Sequence, residues 1–137
     1  MRTLFLALLI AISSSTHAAD DSLYRAFGEK AGLSTLMTDF VTRLKADARI
    51  GPFFKDVSAK HLATQLTDQL CAVSGGPCKY EGEAMAKSHK DLGIGRADFN
   101  ALVEVLQDTM AARGIAFRDQ NRMLALLAPM HRDIITR

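Results

Sequence analysis

Histidine and cysteine are the residue types in this sequence best suited to binding a metal or a metal-containing cofactor. The stretch from Leu70 to Gly95 contains Cys71, Cys78 and His89, and imidazole and thiolate groups both ligate transition metals. No second histidine or cysteine lies at zinc-ligand spacing on the segment that carries His89. The cysteines do not form the C-x-x-C-H motif that attaches a c-type haem. Taken alone, His89 predicts at most one metal ligand, and the alternative is an ordinary surface histidine.

Helix-breaking residues isolate His89 on a short segment. Gly75 and Gly76 permit positive φ and Pro77 cannot continue a helix, so a preceding helix must end there. After a loop, Met85 to His89 predicts little more than one helical turn. The imidazole is therefore held between two flexible stretches of chain.

The other elements are predicted to be helices because apolar residues recur at a spacing of three and four. No stretch alternates with a period of two, so the fold class is all-α. Ser58 is a predicted N-cap of the helix that reaches Ser74, with Gln65 and Gln69 bordering its apolar face. The apolar stripes are Leu33, Leu36, Met37, Phe40, Val41 and Leu44; Leu62, Leu66, Leu70 and Val73; Phe99, Leu102, Val103, Leu106 and Met110; Met123, Leu127, Met130 and Ile134.

Residues 1–18 predict a secretory signal peptide, with a basic start, an apolar run from Leu4 to Ile12 and small residues before a cleavage site at Ala18. The apolar run is too short to cross a bilayer, which needs about 20 residues. We therefore expect a periplasmic or secreted protein in which residues 19–137 form one domain, without stable membrane insertion after cleavage. The formal charge of +2 over the full chain gives no basic surface for nucleic acid.

Export has a consequence for the two cysteines. Cys71 and Cys78 bracket the Gly-Gly-Pro turn, and an oxidising compartment allows a disulfide between them to persist. The alternative is a pair of small buried thiols.

A series of motifs in order resembles the group 1 truncated haemoglobins over Ser22 to about Ile135. The matching elements are SLYRAFG with Gly28 and Gly32, Pro52-Phe53-Phe54, the G-G-P-x-x-Y-x-G motif from Gly75 to Gly82, the M-x-x-x-H-x-x-x-G-I element from Met85 to Ile94, Asp98-Phe99 and Ala128-Pro129. The resemblance implies a two-over-two helical sandwich around one haem b per chain.

The resemblance also implies roles for individual residues. His89 stands at the position of the proximal iron ligand, between Met85 and Ile94 of the same element, and Phe54 at the position whose ring packs on the haem face. The cofactor-binding residues expected by this match are Phe54, His61, Leu62, Gln65, Leu66, Met85, His89 and Ile94.

The distal wall of the haem pocket departs from the family pattern. Many members have a tyrosine where this chain has Val41, and Leu66 replaces a frequent glutamine. The expected distal pocket consists of Val41, Leu62, Gln65, Leu66 and Gln69.

Two further histidines leave alternatives open. His61 would contact a haem propionate or solvent, or swing to the sixth iron site. His131 lies near where some cyanobacterial relatives bond a haem vinyl group, and the alternative is an exposed C-terminal histidine.

These features predict a protein that binds diatomic gases (dioxygen, nitric oxide and carbon monoxide) at haem iron, for gas binding, sensing or scavenging. One alternative is a haem enzyme, either a nitric oxide dioxygenase or peroxidase-like, supplied with electrons by a reductase. A second alternative is a helical interaction module without haem.

Overall fold

The computed structural model describes residues 20–137, so the predicted signal peptide lies outside the described residues. Within that range the chain is helical and has no strand, which confirms the all-α prediction, and none of its helices is long and apolar enough to cross a membrane. The α-helices are α1 (Ser22–Ala26), α2 (Glu29–Ala46), α3 (Ala59–Val73), α4 (Met85–His89), α5 (Arg96–Ala112), α6 (Phe117–Leu127) and α7 (His131–Ile134), with 3-10 turns at Gly51–Phe54 and Ala128–Met130.

Helix α2 is the centre of the core. Its predicted stripe is buried along its whole length, from Leu33 through Phe40 to Leu44. This face packs against α3 on one side and α5 on the other, while α6 contacts α1 and α5. The core therefore forms between two pairs of helices, and the short α4 packs instead on α7.

Two glycines shape the corner between α1 and α2. Gly28 adopts a positive φ of 80°, a conformation that glycine reaches at no steric cost. A Cβ atom on Gly32 would lie 2.2 Å from the carbonyl oxygen of Phe27, far inside van der Waals contact. The pair lets α2 start directly against the end of α1.

Helix α3 begins as the sequence predicts. The Ser58 hydroxyl accepts a hydrogen bond from the backbone N–H of His61 at 3.3 Å, which satisfies one of the free donors at the helix start. The helix ends at Val73, where Ser74 caps it and Gly75 turns the chain away with a φ of 92°.

The last apolar stripe does not form one continuous helix. Helix α6 ends at Leu127, a 3-10 turn spans Ala128–Met130, and α7 follows. Pro129 explains the break, because proline has no N–H to donate and its ring clashes with the preceding helical turn. The break redirects Met130 and Ile134, which line the cavity described below.

Candidate functional site

A large apolar cavity lies between the helices. Its volume is about 650 Å³, within the range of about 300–1,000 Å³ that small-molecule and cofactor sites occupy. Every helix from α2 to α7 contributes to its wall. The lining includes Phe53, Phe54, Val57, Leu62, Leu66, Leu70, Leu92, Ile94, Phe99, Leu102, Val103, Leu106, Leu124, Leu127, Met130 and Ile134.

His89 lies in the wall of this cavity with a defined ring orientation. Its Nδ1 atom is 2.8 Å from the backbone oxygen of Met85 and 2.9 Å from the hydroxyl oxygen of Ser88. A carbonyl oxygen only accepts hydrogen bonds, so the proton must reside on Nδ1. In a neutral imidazole the lone pair is then on Nε2, which has no hydrogen-bond partner among residues 20–137. An imidazole oriented in this way is ready to ligate a metal.

The structure fixes α4 from its C-terminal side. The backbone N–H groups of Thr136 and Arg137 donate to the Ile94 carbonyl at 2.9 and 3.2 Å. Asp98 accepts from the Gly95 N–H at 2.8 Å, and the Arg137 guanidinium lies 3.4 Å from the same carboxylate oxygen. The loop that follows His89 is thereby attached to the end of α7 and the start of α5.

Helix α3 forms another wall of the cavity, and it carries most of the predicted distal residues. His61, Leu62, Gln65 and Leu66 all line the cavity. Within residues 20–137 the Gln65 amide has no protein hydrogen bond, so it is available to a ligand. His61 is exposed at the edge of the cavity.

The resemblance implied that Val41 lines the distal pocket, but its side chain does not face the cavity. It is buried with 1% of its surface exposed, but it does not line the cavity. Met37, Phe40 and Leu44 present the cavity-facing side of α2 instead. The spacing of three and four places these three on one face, with Val41 turned about 100° from Phe40.

Gln69 reaches the cavity but directs its amide elsewhere. Its Nε2 donates to the Met130 sulfur at 3.1 Å and lies 3.9 Å from the Met85 sulfur. The expected role of Gln69 as a second donor to a bound gas ligand is therefore replaced by a role in joining α3 to α4 and to the turn before α7.

Tyr80 is a cavity residue to which sequence reasoning assigned no role. It belongs to the loop that joins α3 to α4, and its hydroxyl donates to the Glu83 carbonyl at 2.9 Å. Partial burial, with a smaller effect of the nearby Glu83 charge, raises the pKa of the Tyr80 phenol. The phenol therefore stays protonated and keeps donating at neutral pH.

The expected cofactor-binding residues included none from α5 to α7. Phe99, Leu102, Val103 and Leu106 line the cavity, and their common helical stripe was the signal that could have identified them. His131 is exposed, its Nδ1 is 2.8 Å from the Ala128 oxygen, and its ring packs edge-on against Phe99 with the ring centres 6.3 Å apart.

A disulfide joins Cys71 and Cys78, whose Cα atoms are 5.6 Å apart. We expect the mature protein, alkylated without prior reduction, to show an intact mass with no modified cysteine, because both thiols are consumed by the bridge. Reduction before alkylation should add two alkyl groups and serves as the control. Two alkylated cysteines in the unreduced sample would exclude the bridge.

The residues of the cavity fit a haem group. The wall is apolar with several aromatic rings, as a large flat macrocycle requires, and it presents an imidazole whose Nε2 is unoccupied and whose Nδ1 is fixed by the backbone. A helical domain that encloses such a cavity fits the architecture of a globin, in which helices pack around the haem pocket.

Comparison with known proteins agrees with this conclusion. Residues 22–136 match the family model described as bacterial-like globin. The group 1 truncated haemoglobin of Tetrahymena thermophila is 30% identical over 95 residues, which cover 69% of this chain and 78% of that protein. The corresponding protein of Tetrahymena pyriformis is 26% identical over 83% of this chain and 94% of that protein. Its Fe(III) crystal structure superposes with a TM-score of 0.80 over 84% of this chain and 98% of the other.

The chain belongs to the bacterial-like globin family, and its resemblance to the group 1 truncated haemoglobins is confirmed. The truncated globin fold predicted from the sequence is confirmed as well. The cofactor of this family is haem, usually haem b, and diatomic gases bind at its iron.

Proposed function

We propose that this protein is an exported haem b globin that binds dioxygen, nitric oxide and carbon monoxide, with His89 as the proximal iron ligand. The observation that carries the proposal is the cavity with the His89 imidazole in its wall, held by the Met85 carbonyl so that Nε2 is free. When bound, haem supplies an iron atom with a coordination site for a diatomic gas. The protein's own residues orient the ligand, exclude water and set the polarity of the pocket.

The distal surface is mainly apolar, because Leu62 and Leu66 flank the single available amide of Gln65. Leu62 and Leu66 limit the access of water to the pocket. Gln65 offers a neutral amide NH2 group as a donor, which favours a ligand that acquires partial negative charge on its outer atom. Dioxygen would be such a ligand, whereas carbon monoxide would depend much less on a donor.

Absorption spectra of the purified protein with haem test the proposal directly. A Soret band in the ferric form, a shift on reduction and a further shift with carbon monoxide are the expected results. If supplemented protein shows no Soret band, the helical interaction module without haem is the correct reading. Nitric oxide consumption at steady state with an added reductase would instead identify the haem enzyme.

The Gln65 amide should govern dioxygen release. A neutral hydrogen bond contributes about 0.5–1.5 kcal/mol, so Gln65→Leu should raise the dioxygen off-rate a few-fold to about tenfold. Carbon monoxide release should change little. Stopped-flow replacement of dioxygen by carbon monoxide measures the rate.

Gln69→Leu is the matched control for this prediction. It removes an identical amide from the same helix, but one that donates to methionine sulfurs rather than to the ligand. Its dioxygen off-rate should remain within about twofold of the unmodified protein. Equal effects of the two substitutions, or none from either, would show that Gln65 is not the donor.

Export is supported by residues 1–18, with their basic start and short apolar run, and by a disulfide that an oxidising compartment would preserve. The mass of protein from the periplasm or the medium should correspond to a chain that begins at Ala19. An intact N-terminus on protein that remains inside the cell would contradict export.

A further inference from the structure

The segment from Pro77 to Ala84 joins α3 to α4 and borders the cavity. Tyr80, Gly82 and Glu83 all line the cavity. Among the described residues, no backbone–backbone hydrogen bond involves residues 77–83. The Tyr80 hydroxyl bonds within the segment, and Glu83 pairs with Lys87 of α4 at 3.0 Å. Hydrogen bonds therefore do not hold this segment against the rest of the fold.

Helix α4 cannot hold itself in place. It has five residues, none of which is fully buried, and it forms little more than one turn. A helix of this length has no stability of its own, because nucleation is costly and few hydrogen bonds follow it. The position of His89 therefore depends on the packing of α4 against α7, on the contact of Gln69 with Met85, and on the connections before and after α4. The connection after it is the hydrogen bonding of Ile94 to Thr136 and Arg137.

The connection before α4 is the disulfide. Cys71 lies on α3 in the core with none of its surface exposed, so its position is fixed. Cys78 lies at the start of the segment, directly after Gly75, Gly76 and Pro77. The two glycines would otherwise let the segment leave α3 in many directions. The bridge removes this freedom by a covalent bond to a buried helix residue.

We propose that the Cys71–Cys78 disulfide is a positioning element for the proximal imidazole. It fixes where the loop to α4 begins, and so it keeps the His89 Nε2 directed into the cavity and slows the release of haem. The inference rests on the proposed role of His89 and extends it. It assigns the bridge an effect on cofactor retention that differs from its general contribution to stability.

Haem transfer provides the first test. The rate at which the ferric holoprotein gives up haem to excess apomyoglobin is compared with that of a Cys71→Ser/Cys78→Ser double variant. We expect the variant to release haem about tenfold faster. This factor corresponds to part of the free energy that closing a loop of this size contributes by restricting the chain. Circular dichroism must show both proteins fully folded at the working temperature. Addition of a thiol reductant should accelerate release from the unmodified protein and leave the double variant unchanged.

A second comparison separates positioning from general stabilisation. In His89→Gly loaded with haem and free imidazole, the axial ligand is no longer attached to the chain. If the bridge acts through His89, removing the bridge in this background should change haem release by less than about twofold. An undiminished tenfold effect there, or equal release rates in the original pair, would overturn the proposal.

The iron–imidazole stretching band of the ferrous protein tests the positioning role in protein that retains His89. Loss of the bridge should broaden or shift this band, because the imidazole samples more orientations, and an unchanged band would count against positioning.

The two proposals fail in different ways. If His89→Gly retains haem without imidazole, the role of His89 is refuted. If this variant loses haem but removal of the disulfide leaves haem release unchanged, only the inference drawn from the bridge is refuted.

Discussion

Replacing His89 with glycine is expected to abolish stoichiometric haem binding and to restore it only when free imidazole is added. The substitution removes a cavity-lining imidazole whose Nδ1 lies 2.8 Å from the Met85 carbonyl oxygen and whose Nε2 has no hydrogen-bond partner among residues 20–137. It leaves the cavity wall otherwise unchanged, so exogenous imidazole can occupy the space of the lost ring. The ratio of Soret to protein absorbance, with and without imidazole, measures the effect.

Two other histidines provide the controls for this experiment. His61 is exposed at the edge of the cavity, and His131 packs against Phe99 from outside. His61→Gly and His131→Gly should each retain stoichiometric haem. A normal spectrum from His89→Gly without imidazole, or the loss of haem from His61→Gly alone, would assign the iron to a different ligand.

Of the two glycines at the corner between α1 and α2, Gly32 should be the one whose replacement by alanine destabilises the protein more. The added Cβ would lie 2.2 Å from the Phe27 carbonyl oxygen and 3.1 Å from its carbon, both backbone atoms that cannot rotate away. Overpacking typically costs about 1–3 kcal/mol and occasionally more, so we expect the free energy of unfolding to fall by about 3 kcal/mol. Urea denaturation of the apoprotein, followed by far-ultraviolet circular dichroism, measures the change.

Gly95→Ala is the matched control for Gly32→Ala. Its φ of −97° suits any residue, and the added methyl group would first meet the end of the Arg137 side chain at 3.1 Å, which can move aside. The Gly95 N–H that donates to Asp98 is retained. We expect a change of less than about 1 kcal/mol. Similar losses from the two substitutions would mean that the Gly32 contact relaxes freely.

The sequence predicted most of the fold because the apolar stripes are regular. The stripe from Leu33 to Leu44 and the N-cap at Ser58 each depend on local spacing, and the structure places both as expected. The break at Pro129 was missed because the apolar periodicity continues from Met123 to Ile134 across the proline. Periodicity reports which residues face inward and does not show where a backbone hydrogen bond is lost.

The site was predicted less completely, for reasons that differ between residues. The motif match placed His89 and Leu66 on the cavity wall, but it could not show which way a shorter side chain at position 41 would face. The Gln69 amide was expected to face a gas ligand, and it binds instead to the sulfurs of Met85 and Met130. These contacts join residues that are 16 and 61 positions apart in the chain, and a single sequence carries no signal for such pairs.

The attachment of Ile94 to Thr136 and Arg137 has a consequence for the order of assembly during biosynthesis. In an exported chain the N-terminal end enters the oxidising compartment first, so Cys71 and Cys78, separated by only seven positions, can pair before the C-terminal residues arrive. The partners of Ile94 are synthesised about 40 residues after it. The far side of the His89 segment is thus completed late, and the chain should bind its cofactor firmly only after residues 136 and 137 have joined the fold.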